Sequence, residues 1–375
     1  YGPNQYKEKL IPKFIDLLKN NKKCTIHGNG EMKRSFIHTY DFAVAIEMIW
    51  LKGESRQIYN IGSSEEFTVF VKDRNFNDSR YLIGCEKLKK LGWKQTIPFE
   101  KGISELVKDK FLVYGSRGWI GNMFCQEINK ENICFHGKER CENYDKVKNE
   151  ILKLRPDYII CSIGRTYGGI YNNIDYLENN PEINQRDNFD APKNLMDICE
   201  ELNIKCLYIG TGCIFEYDKD HTIENKIGFT EEDSPNFFGS IYSRKKGELD
   251  LLTRKYKNVL NCRIRMPITK DSNLRNFVDK IKKFENICSI PNSMTYLDEA
   301  IPEMIKVLKQ GVTGTINVVN PGTISHSEIL DSLGCKYKLI TMEELEKKYV
   351  KARRSNNYLV TSNCLNLTPI KDIFK

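Results

Sequence analysis

Residues 111–121 read Phe111-Leu-Val-Tyr-Gly-Ser-Arg-Gly-Trp-Ile-Gly121. The apolar residues predict a buried strand, and the glycines after them predict a tight turn into a helix. Such a turn lets a pyrophosphate approach the N–H groups at the start of the helix. The G-x-x-G-x-x-G spacing differs from the usual G-x-G-x-x-G, so the position between strand and helix is what supports a dinucleotide site. The cofactor-binding residues predicted here are Gly115, Gly118, Trp119, Ile120 and Gly121.

Beyond this turn, strand-like and helix-like segments alternate along the chain. Strands are predicted at 111–114, 133–135, 158–161 and 206–209, and helices from residue 119, at 147–154 and at 189–202. Such alternation is typical of a parallel sheet with helices on both faces. We therefore predict an α/β fold with a doubly wound parallel sheet of the Rossmann type.

The residues before the turn form a separate segment. Apolar residues at helical spacing predict surface helices at 9–18 and 41–50, and short strands ending in glycine are predicted at 25–30 and 57–62. Charged residues at 107–110 precede the strand of the turn, so we expect one domain at 1–108 and another at 109–375. The first residues contain no initiator methionine, and we expect further sequence upstream of Tyr1.

Composition excludes several classes of protein. The chain has 375 residues, 40% of them hydrophobic, and no apolar run approaches the ~18 residues of a membrane helix, so we expect a soluble, cytoplasmic protein without a membrane partner. The net charge of +8 is spread over helix faces without a basic block, which argues against nucleic acid. Thirteen cysteines without a C-x-x-C pair predict a reduced compartment and no metal site.

Two short motifs in the second half indicate proton-transfer chemistry. Tyr242 and Lys246 lie four residues apart, on one face of a predicted helix, where the cation would favour the ionised phenol. Thr211 and Cys213 follow the strand at 206–209, at the edge where open α/β sheets bind ligands. Being two residues apart in extended chain, they should face the same side. The alternative for Cys213 is a cysteine of the core.

The end of the second strand bears on the choice of cofactor. An NAD enzyme usually offers a carboxylate to the ribose about 20 residues past the glycine turn. Here the strand ends in Phe-His-Gly at 135–137, with no acid, and Lys138 and Arg140 follow. Both cations would bind a ribose phosphate, and this favours NADPH as the cofactor, with NADH as the alternative. The alternative for the two cations themselves is that they are solvated loop charges.

Several longer strings together resemble one enzyme family. They lie at 111–121, 211–218, 229–237, 263–268, 290–295, 320–322 and 354–357. These strings closely resemble UDP-4-keto-6-deoxyglucose 3,5-epimerase/4-reductase, of the UDP-L-rhamnose synthase family among the extended short-chain dehydrogenases. The resemblance runs from about residue 111 to the C-terminus. It implies a Rossmann domain with a small substrate lobe.

The resemblance further implies that one site performs two reactions. Cys213 and Lys280 would be the acid/base groups of epimerisation, and Thr211 and Tyr242 would stabilise the enolate oxygen. Tyr242 would then protonate the alkoxide during reduction by NADPH, with Lys246 on the nicotinamide ribose. Without the resemblance, Lys280 reads as a solvated helix charge. The residues that the resemblance places at the substrate are Asn188, Asn292, Arg354, Asn356 and Asn357.

The first 108 residues resemble a different enzyme. The strings at 1–12, 28–34, 59–62, 72–81 and 91–93 are similar to the C-terminal substrate lobe of an NDP-glucose 4,6-dehydratase. The glycine turn, the threonine with its acidic pair and the Y-x-x-x-K of that family do not occur in this segment. We therefore expect the dehydratase part to be truncated and inactive.

The expected function is 3,5-epimerisation and NADPH-dependent 4-keto reduction of UDP-4-keto-6-deoxyglucose to UDP-L-rhamnose. The expected partners are a UDP-sugar and a second copy of the chain in a homodimer. One alternative is a dTDP-4-keto-rhamnose reductase without epimerase activity. The other is a non-catalytic subunit that binds sugar nucleotides or assists assembly.

Overall fold

The computed structural model describes residues 1–19, 22–24, 33–63, 66–68, 80–81 and 83–375. The chain divides into two compact units, Tyr1–Lys108 and Asp109–Lys375. Within the described residues, no helix is long and apolar enough to cross a membrane. The second unit contains the glycine turn.

The N-terminal unit combines four helices and a three-stranded sheet in its described part. Its elements are α1 (Leu10–Lys19), β1 (Lys33–Ser35), α2 (Thr39–Lys52), β2 (Glu66–Thr68), β3 (Arg80–Tyr81), α3 (Glu86–Lys90) and α4 (Phe99–Val107). β1 pairs antiparallel with β2 and parallel with β3. The two helices predicted from periodicity are confirmed as α1 and α2. The strand predicted at 57–62 is wrong, because this extended segment pairs with no described strand. The strand and turn predicted at 25–30, and most of the string at 72–81, lie outside the described residues.

A buried carboxylate organises the small core of this unit. Ala45 of α2 packs with Leu88 and Trp93. Asp41, in the first turn of α2, is 1% exposed and accepts hydrogen bonds from the backbone N–H and hydroxyl of Thr96 at 3.0 and 2.6 Å. A buried carboxylate is stable only with such donors, so Asp41 fixes the chain that leads into α4.

The C-terminal unit alternates strands and helices as predicted. Its first half contains β4 (Lys110–Tyr114), α5 (Trp119–Ile128), β5 (Ile133–His136), α6 (Tyr144–Leu154), β6 (Tyr158–Cys161), α7 (Asp175–Glu178), α8 (Pro181–Gln185), a π-helical turn (Arg186–Asp190), α9 (Ala191–Glu201) and β7 (Lys205–Thr211). Its second half contains α10 (Ile241–Thr253), β8 (Val259–Ile264), β9 (Pro267–Ile268), α11 (Phe277–Ile281), β10 (Asn286–Ile287), β11 (Thr295–Tyr296), α12 (Leu297–Lys309), β12 (Gly314–Val318), α13 (His326–Ser332), β13 (Lys338–Leu339), α14 (Met342–Lys348) and a 3-10 turn (Ile370–Phe374). The four strands predicted from the sequence are confirmed as β4, β5, β6 and β7.

Six strands of this unit form one parallel sheet in the order β12-β8-β7-β6-β4-β5. The chain moves outward from β4 to β5 and then returns to the other side of β4 to form β6. Ligands of open α/β sheets bind where the strand order reverses in this way, at the carboxyl ends of the strands. The crevice is therefore expected between β4 and β6, beside the glycine turn.

Alternating residues of β4 separate two apolar cores. Phe111 and Val113 pack with α5 and α12 on one face of the sheet, whereas Leu112 and Tyr114 pack with α6 and α9 on the other. Successive side chains of a strand point to opposite faces, so a strand between two helical layers is apolar throughout. The predicted doubly wound α/β fold is confirmed.

A smaller lobe follows the last strands of the sheet. β9 pairs with β11, and β10 pairs with β13, both in parallel. Ile268, Ile281 and Ile329 belong to a third apolar core that joins β9, α11 and α13. This lobe holds α11, which carries Lys280.

Candidate active site

The glycine turn is built as the sequence predicted. Gly115 has a φ of +81°, and a Cβ there would lie 2.7 Å from the carbonyl oxygen of Ser162 after β6. A Cβ on Gly121 would overlap the carbonyl oxygen of Gly115. Gly118 is the N-cap of α5 and lies exposed, so N–H groups at the start of that helix remain open to an anion. The turn thus has the shape of a pyrophosphate-binding site, and Trp119 and Ile120 are the first two residues of α5.

The loop after β5 is held by an acid that the sequence analysis missed. Glu150 of α6 accepts hydrogen bonds from the backbone N–H of Lys138 at 3.0 Å and from the hydroxyl of Tyr114 at 2.8 Å. The ammonium of Lys138 is exposed and makes no hydrogen bond or ion pair in the described part of the chain. Arg140 is exposed and pairs with Glu142 at 2.6 Å. The free cation at this loop is therefore Lys138 rather than Arg140.

Tyr242 and Lys246 are buried on the same face of α10. The helix begins at a Ser240 cap, whose hydroxyl accepts from the backbone N–H of Ser243 at 3.0 Å. Burial lowers the pKa of Lys246 to about 8. Its ammonium donates to the hydroxyl of Tyr208 and lies 4.6 Å from the centre of that ring. The cation expected to act on Tyr242 thus contacts the tyrosine of β7 instead.

Thr211, Cys213 and Tyr242 meet at the carboxyl end of β7. The hydroxyl of Thr211 accepts from the backbone N–H of Cys213 at 3.1 Å and lies close enough to the phenol of Tyr242 to influence its pKa. Burial raises the pKa of Tyr242, and the nearby sulfur of Cys213 raises it further; the interaction with Thr211 and the charge of Arg265 lower it. The phenol is therefore held in its protonated form at neutral pH, as a proton donor requires.

Arg265 is the functional candidate that the sequence analysis did not single out. It lies directly after β8, and β8 pairs with β7 so that Ile264 is opposite Thr211. Its Nη1 is 2.9 Å from the sulfur of Cys213, and its side chain is almost fully buried. The sequence feature that could have identified Arg265 is a cation directly after a buried strand, at the same edge of the sheet as Thr211.

Three of the residues expected at the substrate instead form hydrogen bonds with other residues of the site. The side-chain oxygen of Asn292 accepts from Arg265 at 2.7 Å and from the backbone N–H of Asn357 at 3.0 Å. The amide of Asn357 donates to the carbonyls of Gly212 and Phe215, next to Cys213. The amide oxygen of Asn356 accepts from Asn292 at 2.8 Å. These side chains position the thiol and the guanidinium.

The other two expected substrate residues also bind protein groups. Arg354 pairs with Asp175 of α7 at 2.9 Å. Asn188 lies in the π-helical turn, is 1% exposed and exchanges two hydrogen bonds with the backbone of Arg165 after β6. π-helical turns are frequent at functional sites. Asn188 therefore fixes the backbone of Arg165 in the loop that follows β6.

Lys280 is not joined to the cluster by a direct contact. It lies on α11, is partly buried, and its pKa is lowered by burial and by the charge of Arg275. Its side chain makes no hydrogen bond or ion pair with any residue that the structure describes. An unpaired, partly buried amine with a lowered pKa is suited to proton transfer.

One group of described residues could hold a metal ion. The ligand atoms of Cys125 on α5 and of Cys134 and His136 on β5 all lie within 4.8 Å of one another. The sequence analysis expected no metal site, because the two cysteines are nine residues apart and form no C-x-x-C pair. β5 is an edge strand of the sheet, and β4 and β6 separate it from β7.

Two family models match this chain. The model of the RmlD substrate binding domain matches residues 109–286. The model of the NAD dependent epimerase/dehydratase family matches residues 1–62. The two matches fall in different structural units.

Similar proteins agree with these matches. A trifunctional UDP-glucose 4,6-dehydratase/UDP-4-keto-6-deoxy-D-glucose 3,5-epimerase/UDP-4-keto-L-rhamnose-reductase of Arabidopsis thaliana is 34% identical over 95% of this chain and 67% of that protein. The crystal structure of a UDP-rhamnose synthase of Acanthamoeba polyphaga mimivirus is similar with a TM-score of 0.68 and 40% identity, over 71% of this chain and 97% of that one. A dTDP-4-dehydrorhamnose reductase of Bacillus anthracis, solved with NADP, has the same fold at 20% identity and a TM-score of 0.57, over 70% of this chain and 95% of that one.

The Arabidopsis relative is more than 30% identical to this chain over most of its length. The chain therefore belongs to the UDP-rhamnose synthase family, whose members are NAD(P)-dependent enzymes of nucleotide-sugar metabolism.

Proposed function

We propose that the C-terminal unit, Asp109–Lys375, converts UDP-4-keto-6-deoxyglucose to UDP-L-rhamnose by 3,5-epimerisation followed by NADPH-dependent reduction of the 4-keto group. The observation that supports this most directly is that Thr211, Cys213 and Tyr242 lie together at the carboxyl end of β7, where Thr211 accepts from the backbone N–H of Cys213 and influences the pKa of Tyr242. A proton donor for reduction and a thiol for epimerisation therefore share one cluster.

The chemistry explains why one site suffices for two reactions. The ketone at C4 acidifies the protons at C3 and C5, because the electron pair left by each proton is delocalised onto the ketone oxygen. The same ketone accepts hydride. Groups that stabilise negative charge on that oxygen therefore accelerate both steps.

Tyr242 and Thr211 are the groups we assign to the ketone oxygen. Thr211 lies at the carboxyl end of β7 and influences the pKa of the Tyr242 phenol. Because burial keeps Tyr242 protonated, its hydroxyl donates a hydrogen bond to the enolate and later gives its proton to the C4 alkoxide.

Cys213 and Lys280 are assigned as the two acid/base groups of epimerisation. Inversion at carbon requires proton removal on one face of the sugar ring and proton delivery on the other. Cys213 is partly exposed at the end of β7, and Lys280 is partly buried in the smaller lobe, so they belong to different parts of the unit. The sugar ring would lie between them.

NADPH supplies the hydride, and the glycine turn with α5 is assigned to its pyrophosphate. Lys246 would donate to the nicotinamide ribose. Lys138 is assigned to the ribose phosphate, because its exposed ammonium is unpaired in the described part of the chain. Arg140 would contribute less, since Glu142 already pairs with it.

The N-terminal unit, Tyr1–Lys108, is assigned as the substrate lobe of a 4,6-dehydratase. Its described residues contain neither a glycine turn opening a helix nor a tyrosine–lysine pair of the Tyr242 and Lys246 kind. We therefore propose that this chain does not itself dehydrate UDP-glucose.

The test is turnover of UDP-4-keto-6-deoxyglucose by the full chain, followed by NADPH absorbance and by NMR of the product. We expect NADPH oxidation and a product of the L-rhamno configuration. A reduced product without inversion at C3 and C5 would indicate a reductase alone, and no turnover would refute the enzymatic function. The dTDP-linked substrate, assayed in parallel, measures the preference for the base.

Tyr242→Phe is the first variant for this assay, with Tyr349→Phe as its control because Tyr349 is exposed at the end of α14. Loss of the proton donor should lower kcat of reduction by about 10²- to 10⁴-fold. Equal activity of the two variants would refute the role of Tyr242.

A further inference from the structure

The geometry around Arg265 points to a role in epimerisation that neither the family match nor the sequence motifs assign. Its guanidinium has three partners in the described part of the chain: the sulfur of Cys213 at 2.9 Å, the side-chain oxygen of Asn292 at 2.7 Å and the carbonyl of Ser355 at 2.5 Å. None of the three is a carboxylate. The third nitrogen of the guanidinium, Nε, is buried without a partner in the part of the chain that the structure describes.

Such an arrangement leaves a buried positive charge without a permanent negative one. Arg265 is 2% exposed, and burial of an uncompensated charge is costly. The nearby Arg263 illustrates the usual solution, because it is fully buried but forms a two-point ion pair with Asp250. Of the three partners of Arg265, only the Cys213 sulfur can become an anion.

The two acceptors also fix the direction of the guanidinium. Asn292 and Ser355 both accept from Nη2, so the planar group cannot turn without breaking two hydrogen bonds. The backbone N–H of Arg265 donates to the hydroxyl of Thr295 at 3.0 Å, which holds the chain after β8. Nη1 is thereby directed at the sulfur of Cys213.

We propose that Arg265 is a positioning residue for epimerisation, which holds the Cys213 sulfur as a thiolate directed at the sugar ring. The inference rests on the proposed function of Cys213 as an acid/base group. In the step concerned, the thiolate takes a proton from the carbon next to the ketone. The C–H bond breaks, an S–H bond forms, and the electron pair of the C–H bond moves to the ketone oxygen as an enolate. Lys280 delivers a proton to the opposite face of that carbon, and the electron pair returns from the enolate oxygen to form the new C–H bond. Thiol and guanidinium then face each other as a neutral donor and a cation until the thiol loses its proton.

Alkylation of Cys213 tests this without any substrate. Iodoacetamide reacts with thiolates, so the pH at which Cys213 reaches half of its maximal alkylation rate reports the thiolate, and mass spectrometry of peptides separates Cys213 from the other cysteines. We expect this pH to be higher in Arg265→Gln than in the wild type, and closer to the wild type in Arg265→Lys. Cys364, which is exposed, is the internal control and should respond equally in all three proteins.

Other titrating groups near the thiol are the same in all of these proteins. Tyr242 and Lys246 of α10 interact with Cys213, and His326 of α13 and Tyr217 interact with Arg265. Burial lowers the pKa of His326 to about 4 and raises that of Tyr217 to about 12, so neither titrates near neutral pH. Lys246 does titrate near neutral pH, because its pKa is about 8. The quantity to measure is therefore the difference between the alkylation profiles of the variants, not a single profile.

Two substrates separate a positioning role from a purely structural one. Deuterium uptake at C3 and C5 of UDP-4-keto-6-deoxyglucose reports epimerisation, whereas UDP-4-keto-L-rhamnose requires reduction only. In Arg265→Gln we expect epimerisation to fall about 10- to 100-fold, the equivalent of one hydrogen bond to a charged group, and reduction to fall by less, because the Cys213 sulfur takes no part in the reduction step. Arg265→Lys should recover part of the loss.

Two results would overturn the proposal. One is an unchanged alkylation profile in Arg265→Gln. The other is an equal loss of both activities that Arg265→Lys does not relieve, which would make Arg265 part of the scaffold. If the wild type turns over neither sugar while its alkylation profile still depends on Arg265, the contact is real and the proposed function is what fails.

Discussion

The two ends of the crevice are constructed in different ways. The proposed cofactor end is one continuous stretch, Gly115 to Gly121, whose turn leaves no room for a side chain at Gly115 or Gly121. The proposed acid/base end combines Thr211 at the end of β7, Arg265 after β8 and Tyr242 from α10. Substitutions at the first end should act through sterics on binding and stability, whereas substitutions at the second should act on proton transfer with little effect on binding.

Cys213→Ala should give the largest separation between the two ends. Removing the thiol should lower deuterium exchange at C3 and C5 by about 10²- to 10⁴-fold, because general acid/base catalysis is lost. Reduction of UDP-4-keto-L-rhamnose and affinity for NADPH should stay close to the wild type. Cys364→Ala is the matched control, since that cysteine is exposed. Unchanged exchange in Cys213→Ala would contradict the assignment of the thiol.

Gly121→Val should affect the cofactor end alone. Its side chain would overlap the carbonyl oxygen of Gly115, so the turn has to open. We expect a loss of about 1–3 kcal/mol in the free energy of unfolding, together with weakened NADPH binding measured by fluorescence. Gly118→Ala is the control for sterics, because a Cβ there lies 3.2 Å from its nearest neighbour and should cost less stability. Equal stability losses in the two variants would refute this view of the turn.

Lys246 connects the two ends and should make cofactor use depend on pH. Burial lowers its pKa to about 8, so the ammonium that would donate to the ribose is lost as the pH rises through about 8. Above that pH, KM for NADPH should rise by up to about tenfold per pH unit. Lys246→Arg keeps its charge and should flatten this rise, even if its KM at pH 7 is higher. A flat profile in the wild type would show that the ammonium does not hold the cofactor.

Lys138→Ala should produce the smallest effect. Exposed ion pairs contribute about 0.2–1 kcal/mol, so the preference for NADPH over NADH should fall only about 1.5- to 5-fold. Arg140→Ala should change the preference less, because Arg140 is already paired with Glu142. The ratio of kcat/KM for the two cofactors measures both. A larger loss of preference in Arg140→Ala than in Lys138→Ala would assign the ribose phosphate to Arg140 instead.

The parts that could be predicted from the sequence share one property. The strands β4 to β7, the helix from Trp119 and the pair Tyr242 and Lys246 all depend on spacing within a few residues. Periodicity of 2.0 or 3.6 residues determines which side chains share a face. The strand predicted at 57–62 was wrong because strand formation also needs a partner strand, which local pattern does not supply.

The parts that could not be predicted depend on pairs distant in sequence. Arg265 meets Cys213 only because β8 pairs with β7 in the register that places Ile264 opposite Thr211. Glu150 reaches the loop after β5 from the following helix, where the sequence analysis had looked for an acid on the strand itself. The amine of Lys246 donates to Tyr208 rather than to Tyr242, because Tyr208 lies on β7 and β7 packs against α10.

The sequence by itself determined the Rossmann fold, the position of the glycine turn and the identity of the residues available for chemistry. These follow from local backbone preference and from hydrophobic periodicity, which act over short stretches. Tertiary structure alone decided which groups act on one another: that the Cys213 sulfur faces a buried guanidinium, and that Asn292 and Asn357 brace the site. Such contacts depend on strand register and on how side chains pack, and these are fixed only when the whole sheet is assembled.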